Sequence, residues 1–105
     1  MKSRRKRYVR FRLHTDGPPV NEKQLATAVR MSLLSIYGEV EVADSRFFLN
    51  EYDEASGHGI LQCNAASLDR LITSAVLLSS IDGTYVSFEP KKTSGTIRAL
   101  KKGAT

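Results

Sequence analysis

With a single cysteine, Cys63, in 105 residues, the chain cannot form an internal disulfide. That fits a reducing compartment, and a cytoplasmic protein is expected. No apolar run approaches the roughly 20 residues that cross a bilayer. The basic start is not followed by an apolar stretch, because Arg10 and Arg12 interrupt Tyr8 to His14. A signal peptide is therefore not expected. Neither end has a long apolar face to lay on a membrane, so no membrane partner is expected either. His14, His58 and Cys63 fall on different elements without ligand spacing, and no bound metal or cofactor is expected. Internal repeats and low-complexity linkers are missing. The length suits one domain with one core.

The absence that says most concerns acids. Up to Arg12 the chain carries Lys2, Arg4, Arg5, Lys6, Arg7, Arg10 and Arg12 and no Asp or Glu. After Glu89 it carries Lys91, Lys92, Arg98, Lys101 and Lys102, again with no acid. The ends together hold +12, and the middle, with all 11 acids and four bases, holds −7, which gives the net +5. Two positive ends on an acidic body point to a polyanion that touches one region, and a nucleic acid is the polyanion that suits so many bases.

What is present can be placed on elements. Residues 1–7 form a basic arm, 8–93 the folded domain, and 94–105 a basic C-terminal segment. Tyr8 to His14 alternates, with Val9, Phe11 and Leu13 on one side, as a half-buried strand does. Asn21 with Gln24 reads as a capping box before a helix whose apolar face is Leu25, Ala28, Val29, Leu33 and Ile36, closed by Gly38. Glu39 to Ser45 reads as extended or irregular. Arg46 to Tyr52 and Gly59 to Cys63 read as a hairpin about Asp53 to Gly57. A second helix spans about Ser67 to Ser80, with Leu68, Leu71, Ile72, Ala75 and Leu78 inward and Gly83 past its end. Val76, Leu77 and Ile81 widen its apolar surface, through deep burial or a partner contact. Tyr85 to Glu89 is a last strand, ended by Pro90 and placed at an edge. Ser94-Gly95-Thr96 introduces a short helix from Ile97 to Lys101.

Strand, helix, strand, strand, helix, strand is the order of the split βαβ unit. The expected fold is α+β: a ferredoxin-like, RRM-like sandwich with a four-stranded antiparallel sheet, two helices on one face and a short C-terminal helix. In that topology the first and last strands are antiparallel neighbours. Arg4, Arg5, Lys6 and Arg7 then meet Lys91 and Lys92 at one corner, and Arg10 and Arg12 extend the patch onto the face opposite the helices. RRM domains stack bases on aromatics of strands one and three. Strand three here, Gly59 to Cys63, has none. Tyr8 can stack one base, and Phe48 or Tyr52 can if they face outward, but the parity of strand two stays open. Recognition of phosphate and shape is therefore expected over reading of unpaired bases.

Each candidate has a plainer role. Arg4 to Arg7 suit a solubilising tail as well as RNA. Arg10 and Arg12 suit protection of a sheet against aggregation. Ser94, Gly95 and Thr96 suit a helix cap, and equally a phosphate at a helix N-terminus. Arg98, Lys101 and Lys102 place positive charge on that helix. Glu39, Glu41, Asp44, Glu51, Asp53 and Glu54 read as a solvated acidic edge that turns RNA away.

Three segments, in order, closely resemble the small ribonuclease P protein subunit of archaea and eukaryotes, component two in archaea and the pop-five family more widely. They are Arg7-Tyr8-Val9, Phe48 to Tyr52 with Gly59 to Cys63, and Ser94-Gly95-Thr96-Ile97-Arg98. The resemblance implies an RNA-binding subunit of a ribonucleoprotein endonuclease, a hydrolase that removes the 5-prime leader of precursor tRNA. It implies catalysis by ribonuclease P RNA with Mg²⁺, no catalytic residue in this chain, and only indirect contact with precursor tRNA. It further implies a TIM-barrel-like protein partner and two copies of each protein in a heterotetramer. Relatives often carry arginines on and just after strand three. Gln62 and Asn64 stand there in this chain, which shifts RNA contact toward the termini.

Two other classes compete. An adaptor that recruits the barrel subunit and barely touches RNA would use the wide apolar surface of the second helix. An acylphosphatase-like enzyme needs a glycine-rich phosphate loop with an arginine after strand one, and Leu13 to Pro19 supplies no such nest.

Overall fold

The computed structural model describes residues 5–102. Arg4 lies outside them, and Lys102 is described by its backbone alone. The elements are β1 (Lys6–Asp16), α1 (Glu22–Tyr37), α2 (Glu39–Ser45), β2 (Phe48–Tyr52), β3 (His58–Asn64), a 3-10 turn (Ala65–Ser67), α3 (Leu68–Val76), β4 (Ser80–Ile81), β5 (Thr84–Ser94) and α4 (Ile97–Lys102). The strands form one antiparallel sheet in the order β2-β3-β1-β5-β4.

Two long elements follow the sequence reading. β1 alternates as expected, with Val9, Phe11 and Leu13 buried. α1 opens with the reciprocal cap: Gln24 N–H donates to the Asn21 side chain at 2.8 Å, and Asn21 N–H to the Gln24 side chain at 2.9 Å. Leu25, Val29 and Leu33, one helical turn apart, are fully buried, whereas Ile36 is exposed.

Four features differ. The sheet has five strands among the described residues, not four. The fifth arises because α3 stops at Val76, and Ser80–Ile81 turns back on Thr84–Tyr85. Asp82 and Gly83, with φ of 48° and 84°, form the two-residue turn. Positive φ at both positions matches the twist of a tight hairpin, which an Asp-Gly pair adopts readily. Gly83 is thus a hairpin residue and not a helix terminator. Glu39 to Ser45 is helical. Its Glu-Val-Glu-Val run imitates strand alternation, but Glu39 and Glu41 sit in the first turn, where the helix dipole favours acids. Finally, β5 continues through Pro90 to Ser94. An extra residue, Lys91, bulges between the Phe11–Pro90 and Arg10–Lys92 pairs, so the ladder resumes after the proline.

The main core lies between the sheet and α1 and α3. Phe11 stacks against Phe88 at 4.6 Å between ring centroids and against Tyr52 at 6.3 Å. Gly59 of β3 pairs with Phe11, and a Cβ there would come within 2.5 Å of its ring. The missing side chain is what lets the ring lie over β3. The opposite face of the sheet is not wholly open. α4 packs on β1 and β5, and it buries Leu100 on the side that carries Arg10 and the buried Ile60.

Candidate nucleic-acid interface

Strand pairing fixes where the two basic ends lie. β1 and β5 are antiparallel neighbours, with Tyr8 opposite Ser94, Val9 opposite Thr93 and Arg10 opposite Lys92. Lys6 is four residues from Arg10, so about 13 Å of strand separates it from the level of Lys92. The basic residues of β1 and those near the end of β5 are therefore brought together on adjacent strands.

Alternation then divides the side chains between faces. Lys6, Tyr8, Arg10, Arg12 and His14 share the face away from α1 and α3, with Asn64, Gln62, Ile60 and His58 of β3 beside the first four. Lys92 and Ser94 of β5 are on that face as well. Arg7 is on the other side of β1, and its guanidinium lies beside Gly95, where a Cβ would come within 3.4 Å. That is ordinary contact with the end of a flexible side chain, so nothing in the packing requires glycine at position 95.

Several of these cations are engaged within the protein. Arg10 Nη1 donates to the Leu100 carbonyl at 3.4 Å, and Lys92 Nζ to the Ala99 carbonyl at 3.5 Å. Arg12 Nε donates to the Ser56 carbonyl at 3.3 Å. Lys91 pairs with Glu89 at 3.2 Å and Lys101 with Glu51 at 2.9 Å. Arg5 is exposed, and its carbonyl accepts from Ala65 N–H at 2.9 Å. Lys6 and Arg98 are exposed and make no ion pair among the described residues.

Ser94 and Thr96 serve as caps. Thr96 Oγ1 accepts from Ala99 N–H at 3.1 Å, and Ser94 Oγ accepts from Thr96 N–H at 3.3 Å. One of the free amides at the start of α4 is thereby taken.

Acids enter this face where the charge count placed none. Glu89 accepts from His14 Nε2 at 2.7 Å and pairs with Lys91. Those hydrogen bonds, the one from His14 first, hold its carboxyl below the usual range. Glu51 reaches the face from β2. Cys63 is buried among the core residues, and burial pushes its thiol up to about 11, which leaves it protonated and unreactive near neutrality. Among the described residues no group of three His, Cys, Asp or Glu could hold a metal ion.

The orientation of β2 is settled by a second irregularity. Phe48 pairs with Gln62 and Leu49 with Leu61, but Glu51 pairs with Ile60, so Asn50 is an inserted residue. Phe48 consequently faces outward with Tyr8 and Gln62. Tyr52 faces the core and donates its hydroxyl to the Val20 carbonyl at 2.7 Å. Phe48 and Tyr52 are four residues apart and would share a face in a regular strand. No pattern of types in Phe48 to Tyr52 signals the insertion.

The family model described as the Rpp14/Pop5 family matches residues 7–105. Ribonuclease P protein component 2 of Pyrococcus furiosus is 29% identical over 98 residues, covering 93% of this chain and 81% of that protein. The protein of the same name from Archaeoglobus fulgidus is 31% identical, covering 93% and 86%. A chain of the cryo-EM structure of yeast ribonuclease MRP superposes with a TM-score of 0.73, covering 97% of this chain and 90% of that one. Its 14% identity makes that a likeness of fold.

Proposed function

The chain belongs to the Rpp14/Pop5 family, and on that premise we propose that it is an RNA-binding protein subunit of ribonuclease P, supporting the catalytic RNA in removal of the 5-prime leader of precursor tRNA. The observation that carries the reading is the pairing of β1 with β5, which makes one basic region from the two ends of the sequence. The strands β2-β3-β1-β5, with α1 and α3 on one face, are read as a ferredoxin-like sandwich to which β4 and α2 are additions.

The mechanism is phosphate neutralisation. A folded RNA crowds its own charges, and cations fixed on a protein surface relieve that repulsion and release counterions. Lys6 and Arg98 are the clearest contributors, with Arg5 and Arg7 next to Lys6 in the chain and Arg7 turned to the other side of β1. Arg10, Arg12 and Lys92 contribute less, since each also holds a carbonyl of its own fold. Mg²⁺ and the chemistry belong to the RNA, and this chain supplies neither metal ligand nor catalytic group. The TIM-barrel-like subunit is the expected protein partner, in a heterotetramer with two copies of each chain, and the particle works in the cytoplasm.

A second reading has its own observation. Val40 and Leu77, 75% and 63% exposed, stand on the helical layer with Met31 and Val76. Such a surface suits an adaptor that recruits the partner subunit with little RNA contact.

Reconstitution with the catalytic RNA and partner proteins separates the two. Under the first reading, leader removal at low Mg²⁺ needs this chain, and Lys6→Ala with Arg98→Ala flattens the slope of log affinity against log salt by about 1.5. An unchanged slope, with activity dependent on the chain, selects the adaptor.

A further inference from the structure

The face of the sheet that carries α4 holds a row of side chains that phosphate neutralisation does not use. Tyr8 of β1 and Phe48 of β2 are both paired with Gln62 of β3, so the three stand abreast across adjacent strands. Phe48 is 59% exposed, and Tyr8 and Gln62 are half-buried. Tyr52, the other aromatic of β2, is committed to the core by its stacking on Phe11, whereas Phe48 has no ring partner among the described residues.

The spacing limits what the row can hold. Tyr8 and Phe48 are two strand intervals apart, about 9.5 Å. That is too wide for one base clasped between the rings and wide enough for a separate base on each. An aromatic ring offers any base a stacking surface. The Gln62 amide between them carries two donors and an acceptor, the complement of a base edge. Lys6 precedes Tyr8 on the same face of β1, exposed and without an ion pair among the described residues. The nearby acids are occupied, Glu51 by Lys101 and Glu89 by His14 and Lys91. The row therefore combines two stacking rings, a polar selector and a cation for phosphate.

Resting on the RNA-binding reading above, we infer that Tyr8, Gln62 and Phe48 form a docking row for two unpaired nucleotides of the RNA, with Lys6 on a phosphate between or beside them. The lack of an aromatic on β3 had argued against base stacking. β2 supplies the second ring instead, because the insertion at Asn50 leaves Phe48 outward while Tyr52 turns in. One base lies on Tyr8, the next on Phe48, and the chain of phosphates crosses the strands over Gln62.

The test uses the particle assembled from the full chain, ribonuclease P RNA and the partner proteins. Short-wave ultraviolet light joins stacked bases to aromatic side chains, and crosslinks are expected on Tyr8 or Phe48. RNA affinity of Tyr8→Leu and of Phe48→Leu is expected to fall about 5- to 150-fold each, the range for one lost stack. The salt slope should not change in these variants. Tyr8→Phe and Phe48→Tyr should bind like the unmodified chain. Phe48 is exposed enough that its leucine variant keeps the fold, so it decides alone if Tyr8→Leu does not fold. Undiminished affinity in Phe48→Leu, with Lys6→Ala and Arg98→Ala still flattening the slope, overturns the row and leaves RNA binding intact. No crosslink from any part of the chain, with a slope insensitive to Lys6 and Arg98, overturns both.

Discussion

Arg10 and Lys92 face each other across β1 and β5, and both side chains end on carbonyls of the same short helix, those of Leu100 and Ala99. Cations at a helix C-terminus complement its dipole and take up carbonyls that have no partner within the helix. Two residues that charge alone assigns to phosphate thus also hold α4 against the sheet.

Replacing Arg10 by Ala should loosen α4. The bond is long and partly solvated, so a loss of about 1 kcal/mol is expected. Hydrogen exchange at the amides of Leu100 and Lys101 should accelerate well before global unfolding. Exchange at native rates in R10A would show that the helix is held by Leu100 packing alone.

Gly59→Ala should be costly. The added carbon would meet the Phe11 ring at 2.5 Å and the Glu51 carbonyl at 2.6 Å, and neither is the free end of a flexible chain. Overpacking of this kind costs about 3 kcal/mol. For a chain of this size that is a fall in Tm on the order of 12 °C. A thermal melt within a few degrees of the unmodified protein would contradict the packing described for Phe11.

The contribution of Glu89 should depend on pH with a definite sign. Its hydrogen bonds to His14 and Lys91 lower its pKa in the folded state. The stabilisation is complete above the unfolded carboxylate value, about 4.3, and is lost as pH falls through the lower folded value. Urea unfolding of the protein and of E89Q should show a gap at pH 7 that closes below about pH 4. A gap that stays constant into strong acid would remove Glu89 from the account.

How far the fold could be read from the residues depended on whether a local signal matched the physical cause. The capping box at Asn21 and Gln24 and the alternation of Tyr8 to His14 are local and were legible. Their consequence, the meeting of the basic ends, followed from strand order. Glu39 to Ser45 reads as extended or irregular because its four alternating residues mask the helix, which is settled by its acidic first turn and by the packing of Val42. The Asp82-Gly83 turn is a local signal too, but the apolar run through Leu78 favours a longer α3. The engagement of Arg10, Lys92 and Lys101 was not legible, since each partner lies on another element. The direction of Phe48 was likewise hidden, because Asn50 interrupts the ladder without a characteristic residue type.

Asn50 and Lys91 each act as a half-step in a pleated staircase. Were Lys91 drawn into a regular ladder opposite Arg10, every residue after it would change sides, turning Lys92 and Ser94 toward the helices and Thr93 to the outer face. The electrostatic character of the outer surface is therefore governed as much by where β5 bulges as by which of its residues are basic.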